Sequence, residues 1–255
     1  MDCEVLVVGA GPTGLVLALE LARRGVNVRV ADRADGSAVV GRAVGIQART
    51  LEIFEDLGIL ELILSLGLKV TIDHCYIDGR LTRSTLPDSL PPEGVPYPWL
   101  LALEQGLVER ILASHLARHE VFVEWNSPFC RLLQDQNGVT AQVGGRNLRC
   151  AYVVACDGAR SAVRDALGLG FPGKGYPFVF LTTDVAVEWP FPYEQSYTFW
   201  KDGTSLGMMP VMRPNRFRVW TQVDEPLVST GVSHGFLQDE KPPLLEDLQT
   251  LANAM

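Results

Sequence analysis

Residues 4–33 read EVLVVGAGPTGLVLALELARRGVNVRVADR, and the reading of this stretch decides the fold. Residues 5–8 are a continuous apolar, largely β-branched run, as expected of a strand buried on both faces. A glycine-rich turn follows. Residues 13–24 are good helix formers, apolar almost all round, and Gly25 stands where a helix stop belongs. A second apolar run, residues 28–31, ends at Asp32. Strand, turn, helix and strand within about 30 residues form the crossover unit that is right-handed and builds parallel sheets.

Gly9, Gly11 and Gly14 match the pattern G-x-G-x-x-G. In that pattern the first glycine makes the tight turn, the second lets backbone approach a pyrophosphate, and the third lets helix pack on strand. The helix start, with Pro12 and Thr13 at its head, then presents unpaired N–H groups and partial positive charge to phosphates. Asp32 follows Gly9 by 23 residues, the distance at which a carboxylate accepts from ribose hydroxyls. A carboxylate there repels a 2′-phosphate, so the expected ligand is a dinucleotide whose adenosine lacks one. Arg33, the next residue, belongs to the same candidate set.

A second apolar strand ends in a similar way. Residues 152–164 read YVVACDGARSAVR: an apolar run stops at Asp157, Gly158 turns the chain, and a helix follows. Asp157 is placed to offer a carboxylate to ribose or ribityl hydroxyls at the carboxyl edge of an open sheet. Its alternative role is that of a helix N-cap over residues 158–167. Ser161 and Arg164, one turn apart, are expected to hold the Asp157 loop.

Between these stretches, Leu51, Phe54 and Leu57 repeat at helical spacing, and a short amphipathic segment covers residues 59–66. Residues 70–77 and 81–86 read as a hairpin around Asp78-Gly79. Five prolines between Pro87 and Pro98 mark an irregular crossing. Leu107, Val108, Ile111, Leu112 and Leu116 give the apolar face of a further helix, with Gln105 at its start. Segments 121–125, 129–133 and 139–143 read as a small antiparallel meander, and 151–156 as the strand that returns to the parallel sheet. FVFLTTDVAVEW (178–189), SYTFWKDG (196–203), SLGMMPVM (205–212) and RFRVWTQV (216–223) read as strands of a second, antiparallel sheet.

Composition narrows the function. The chain has 255 residues, 47% hydrophobic and 20% charged, with a formal net charge of -8, which suits a globular protein and argues against a nucleic-acid surface. The five scattered cysteines contain no C-x-x-C pair, and a reducing cytoplasm suits them. The apolar run over residues 5–19 is interrupted by glycines and lacks a basic leader, so neither a signal peptide nor a membrane span is expected. His74, His115, His119 and His234 have no partner at motif spacing and read as surface histidines. No catalytic triad or metal cluster stands out, and the catalytic base stays unassigned.

GAGPTG, the acid at Asp32, GRAVGIQARTLEIFEDLGI (41–59), Gln105 before a helix, and ACDGARSAVRDALGLGFPG (155–173) occur here in one order. That order resembles the class A flavoprotein monooxygenases, the aromatic hydroxylases of the 4-hydroxybenzoate hydroxylase fold, and within them those acting on phenols and aromatic polyketides. The resemblance spans roughly residues 3–173. It implies a Rossmann-like FAD-binding domain with a small antiparallel meander (1–72 and 99–173) and an antiparallel-sheet substrate domain (73–98 and 174–255). FAD is then expected on Gly9, Gly11, Pro12, Thr13, Gly14, Asp32, Arg33, Arg42, Gln105 and Asp157. By the same resemblance Arg42 serves the pyrophosphate and nicotinamide path, Gln105 contacts the flavin chain, and Asp157 is the acid of a DG motif serving FAD and NAD(P)H. Arg49 reads as structural, tying its helix to the sheet.

The implied chemistry is hydride delivery from NAD(P)H to flavin, followed by transfer of one oxygen atom of O2 to an electron-rich ring. The implied partners are a small aromatic substrate and O2, with a homodimer or a complementing chain left open. Tyr197, Phe199, Met208, Met209 and Trp220 are candidates for lining an aromatic pocket, although strand alternation favours core packing for any one of them. The family's second FAD motif, G-D-A-A-H with a following Pro- and Gly-rich loop, is not in this sequence, and residues 244–254 read as an amphipathic helix. Two readings therefore stand: part of a working hydroxylase, or a truncated, non-catalytic flavin-binding remnant or scaffold. A plain NAD-dependent dehydrogenase would need a catalytic His or a Tyr/Lys pair, and a flavin halogenase a W-x-W-x-I-P element; neither is found.

Overall fold

The computed structural model describes residues 1–38, 43–85, 94–175, 178–188, 190–211 and 215–224. Arg42, His234, most of the proline-rich crossing and the residues 244–254 expected to be helical lie outside the described residues. In chain order the elements are β1 (Cys3–Val8), α1 (Pro12–Ala22), β2 (Val28–Ala31), β3 (Gly45–Ile46), α2 (Ala48–Asp56), α3 (Leu60–Leu66) and β4 (Leu68–Val70). There follow β5 (Asp73–Ile77), β6 (Arg80–Thr85), β7 (Leu100–Ala102), α4 (Gln105–Ala117), β8 (Val123–Glu124), β9 (Phe129–Asp135) and β10 (Gly138–Val143). The last are β11 (Arg146–Ala155), α5 (Ala162–Ala166), β12 (Phe178–Ala186), β13 (Ser196–Lys201), β14 (Thr204–Pro210) and β15 (Arg216–Asp224). The chain divides into two compact units, residues 1–43 with 104–172 and residues 44–103 with 173–255.

The first unit is built on a six-stranded sheet in the order β8-β2-β1-β11-β10-β9. β1 pairs in parallel with β2 and β11, which makes it the central strand, and Leu6 and Val7 are fully buried there. Helix α1 covers the sheet through Leu15, Ala18 and Leu19 and packs on α4, whose Leu112 and Leu116 are also fully buried. Each such leucine contributes about 1.5–3 kcal/mol by leaving water. Those burials outweigh the missing side-chain cap at the head of α1.

Two sequence expectations are corrected in this unit. Residues 121–125 do not join the meander: β8 pairs in parallel with β2, Val123 opposite Val30. The pairing is fixed by an ion pair of Arg29 with Glu124 at 2.6 Å and by backbone bonds from Asn126 and Ser127 to Ala34 and Asp32. The returning strand begins at Arg146, not at 151. β11 pairs antiparallel with β10 through its first half and parallel with β1 through its second, and Tyr152 on it is 68% exposed rather than buried.

The second unit holds a six-stranded sheet, β12-β15-β14-β13-β5-β6, and a three-stranded sheet, β3-β7-β4. The β5–β6 hairpin turns through Asp78 (φ 49°) and Gly79 (φ 74°), the two positive φ values of a type I′ turn. β13 runs parallel to β5, so the expected all-antiparallel sheet carries one parallel pair. No short loop joins these two strands, and none therefore dictates their direction. Residues 44–72, which the sequence reading attached to the FAD-binding domain, lie in this unit. Val44 and Val70 share a buried cluster with Leu100, Ala102 and Val211, with Met209 packed against it. Arg49 does not tie its helix to a sheet; it is exposed and pairs with Glu52 on the same helix at 2.6 Å.

Register also corrects the expected aromatic pocket. Tyr197 opposes Met208, and Met208 opposes Val219. These residues, with Leu206 and Phe217, form a buried cluster on one face, and Phe199 packs against it. Met209 and Trp220 alternate to the other face. The five residues therefore cannot line a single pocket. His74 is no free surface histidine either: it stacks on Tyr197 at 5.2 Å, and its ring nitrogens meet Ser84 Oγ at 2.7 Å and Gln195 Oε1.

Candidate cofactor site

The site lies in the first unit, where three parallel strands end. The tips are laced together by backbone bonds: Gly9 N–H donates to Ala31 O at 2.8 Å and Cys156 N–H to Val8 O at 2.7 Å. Gly9 sits at φ 105°, a conformation that glycine adopts at little cost. A Cβ there would lie 2.3 Å from the Cys156 carbonyl oxygen, and one on Gly14 would lie 1.9 Å from the Gly9 carbonyl oxygen. These two positions therefore hold the β1 tip against β11 and against α1. Gly11 differs. A Cβ on it would meet nothing within 4 Å, so its backbone borders open space.

Gly11 is also the N-cap of α1. It provides no side-chain hydrogen bond, and Pro12 occupies the first turn. The leading N–H groups of an 11-residue helix are thus free of a side-chain cap and carry the positive end of its dipole. Thr13 is exposed on that first turn.

Asp32 stands at the end of β2. One carboxylate oxygen accepts from Ala10 N–H at 2.6 Å and the other from Ala34 N–H at 2.8 Å. Each oxygen keeps a lone pair for a further donor. Asp157, after β11, accepts from Ser161 Oγ–H at 2.6 Å and from Val163 N–H at 3.2 Å. The N-cap of α5 is Ser161, whose Oγ accepts from Arg164 N–H at 3.0 Å, and the Arg164 guanidinium donates to Ala159 O at 2.9 Å. The helix is therefore shorter than the expected 158–167 and its N-cap is Ser161, four residues past Asp157. Asp157 still accepts from the first-turn Val163 N–H while held by Ser161, and Arg164 braces the loop. Beside it, the Cys156 thiol is pushed up by burial and by the neighbouring Asp157 charge.

A cavity of about 190 Å3 joins these tips, and Gly9, Asp32, Arg33 and Asp157 all line it. Ser127, Phe129 and Arg160 line it too, and sequence reasoning missed all three. Arg160 sits inside the DGAR stretch and was within reach. Ser127 and Phe129 carried no motif, because the bonds from Asn126 and Ser127 to the segment after β2 bring them there.

Gln105 is placed elsewhere, on the first turn of α4. Its Oε1 accepts from Ala43 N–H at 3.4 Å and its Nε2 donates to Glu109 at 2.8 Å. The structure thus brings together the loops of Gly9 to Gly14, Asp32 and Arg33, and Asp157. Gln105 is not among the residues lining their cavity.

Three strand tips around one cavity, with an uncapped helix starting three residues past the Gly9 that lines it, is an arrangement for a dinucleotide. The family model for the FAD binding domain matches residues 2–236. The chain belongs to the FAD binding domain family. A curated relative, 6-methylpretetramide 4-monooxygenase from Streptomyces rimosus, is 33% identical over 221 residues, which cover 84% of this chain and 39% of that protein. The crystal structure of p-nitrophenol 4-monooxygenase PnpA from Pseudomonas putida DLL-E4 matches with a TM-score of 0.79 at 27% identity, covering 87% of this chain and 58% of that one. A ternary complex of aklavinone-11 hydroxylase with FAD and aklavinone matches with a TM-score of 0.76 at 27% identity, covering 90% of this chain and 47% of that one. The resemblance to class A flavoprotein monooxygenases is borne out by these relatives, and the mixed α/β fold with several sheets is theirs. This FAD binding domain chain spans about two fifths of the length of its Streptomyces rimosus relative. Among the described residues no helix is long and apolar enough to cross a membrane.

Proposed function

We propose that the protein serves as an FAD-dependent monooxygenase that hydroxylates a phenolic or polyketide-like aromatic substrate with NAD(P)H and O2. The convergence of Asp32, Asp157 and the glycine turn on one cavity carries this reading. The residues fit the cofactor. The uncapped start of α1 and the open backbone at Gly11 suit a pyrophosphate, and the free lone pairs of Asp32 suit the adenosine ribose. Pro12 presets the first helical turn, and Thr13 adds an exposed donor beside it. Arg33, on the cavity rim, supplies positive charge. Asp157, held by Ser161, lines the same cavity, and Gln105 and Arg42 are assigned to the flavin chain and the pyrophosphate path. FAD held there supplies hydride acceptance from NAD(P)H and activation of O2.

The protein's own part is to orient and to exclude water. In the division proposed, the first unit, residues 1–43 with 104–172, holds the cofactor, and the second, residues 44–103 with 173–255, serves the substrate. Titration of the purified protein with FAD, followed by flavin fluorescence, tests the site. NAD(P)H consumption and product formation with a panel of phenols and polycyclic aromatics test the reaction. Saturable binding with substrate-stimulated NAD(P)H oxidation supports the proposal. Binding without turnover leaves a non-catalytic flavin binder, and absence of binding removes the reading altogether.

A further inference from the structure

Glu109 is a charged side chain sealed inside the first unit at 4% exposure. One carboxylate oxygen accepts from Ala38 N–H and the other from Gln105 Nε2, both at 2.8 Å. The head of α4 approaches the same segment so closely that a Cβ on Gly106 would lie 1.9 Å from the Ala38 carbonyl oxygen. Gln105 meets the chain again at Ala43. Glu109 therefore ties one helix turn to the segment before residue 39, and Gln105 ties it to the segment after residue 42.

From this geometry we infer that Glu109 is a positioning residue that sets which end of the Gln105 amide is offered to the cofactor. A carboxylate only accepts, so the end of the amide facing it is the NH2 group. The carbonyl oxygen is thereby turned away from Glu109. Its contact with Ala43 N–H, at 3.4 Å, is long, and such a bond is readily exchanged for a better donor. Gln105 then acts as an acceptor for a hydroxyl of the bound flavin's chain. Helical spacing of four residues places the two side chains on one face, and burial keeps water from competing for the carboxylate.

The inference rests on the flavin reading above, and the test separates the two. Glu109→Gln keeps size and packing. Its new amide can still accept from Ala38 N–H, but it must turn its NH2 toward Gln105, which reverses the Gln105 amide. The expected result is native-like thermal stability with FAD affinity lowered about tenfold or more, since the Gln105 NH2 now faces the donors that its carbonyl oxygen had accepted from. In the swap Gln105→Glu with Glu109→Gln, position 105 again offers an oxygen. Affinity is expected to recover well above that of either single variant, a coupling that a merely structural role would not produce. Unchanged affinity in Glu109→Gln, or no recovery in the swap, would overturn the inference. Should the wild-type protein not bind FAD, the flavin reading falls, and the orientation claim is then read from hydrogen exchange. Slow exchange of the Gln105 side-chain NH2 in the wild type, lost in Glu109→Gln, upholds it; fast exchange in both sinks it.

Discussion

The Asp32 carboxylate accepts a hydrogen bond from the Ala10 N–H at 2.6 Å, binding the end of β2 to the glycine turn after β1. A residue expected to serve only the ligand thus also shapes the loop that would hold the phosphates. Replacing Asp32 by Ala leaves the Ala10 and Ala34 N–H groups without their partner, at a cost of about 1–3 kcal/mol. Urea denaturation is expected to show that loss together with weaker FAD binding. A variant of wild-type stability would show that the loop holds itself.

The motif glycines separate into two kinds. Gly14→Ala forces a methyl group to within 1.9 Å of the Gly9 carbonyl oxygen, and such overpacking costs about 1–3 kcal/mol. Gly11→Ala enters open space and is expected to leave the melting temperature nearly unchanged while weakening FAD. Comparable loss of stability in both variants would contradict this division.

Ser161 works twice, as the cap of α5 and as the donor to Asp157. Ser161→Ala is expected to destabilise by about 0.5–2 kcal/mol through the lost cap. It also frees the Asp157 carboxylate to turn, so FAD affinity falls with stability. Ser161→Thr keeps the hydroxyl and should restore both quantities in equilibrium unfolding and flavin titration.

On the large sheet of the second unit, Gly207 lies opposite Trp220, and a Cβ there would stand 2.1 Å from the indole ring. Gly207→Ala therefore displaces the ring. An altered tryptophan near-UV signal and a loss of about 1–3 kcal/mol are expected. An unchanged spectrum would mean that the strand gives way instead.

The thiols differ in accessibility. Cys3 is buried and its pKa is pushed up to about 11, first by burial and then by neighbouring Cys150; Cys150 is raised by burial as well. Cys130 is exposed. The raised values keep Cys3 and Cys150 protonated, and therefore unreactive, at about pH 8, because the thiolate is the nucleophile. Mass spectrometry after alkylation of the native protein should find Cys130 modified and those two untouched until denaturant is added.

How much was legible beforehand varies with the range of the interaction involved. The βαβ unit, the hairpin at Asp78-Gly79 and the strands between 178 and 224 were readable because apolar periodicity and turn chemistry are local properties. Asp32 and Asp157 were readable as strand-end acids for the same reason. Glu109 was one helix turn from Gln105 and was passed over because a charged residue is expected to face water.

The sequence by itself determined the elements and the strand ends where acids stand, since these follow from side-chain pattern and backbone preference within a few residues. Tertiary structure alone decided that β8 extends the parallel sheet and brings Ser127 and Phe129 to the cavity. It alone put Met209 and Trp220 on the opposite face from Tyr197 and Met208, and buried Glu109 against Ala38. Each of these depends on register between segments far apart in the chain, where a shift of one residue reverses every side chain.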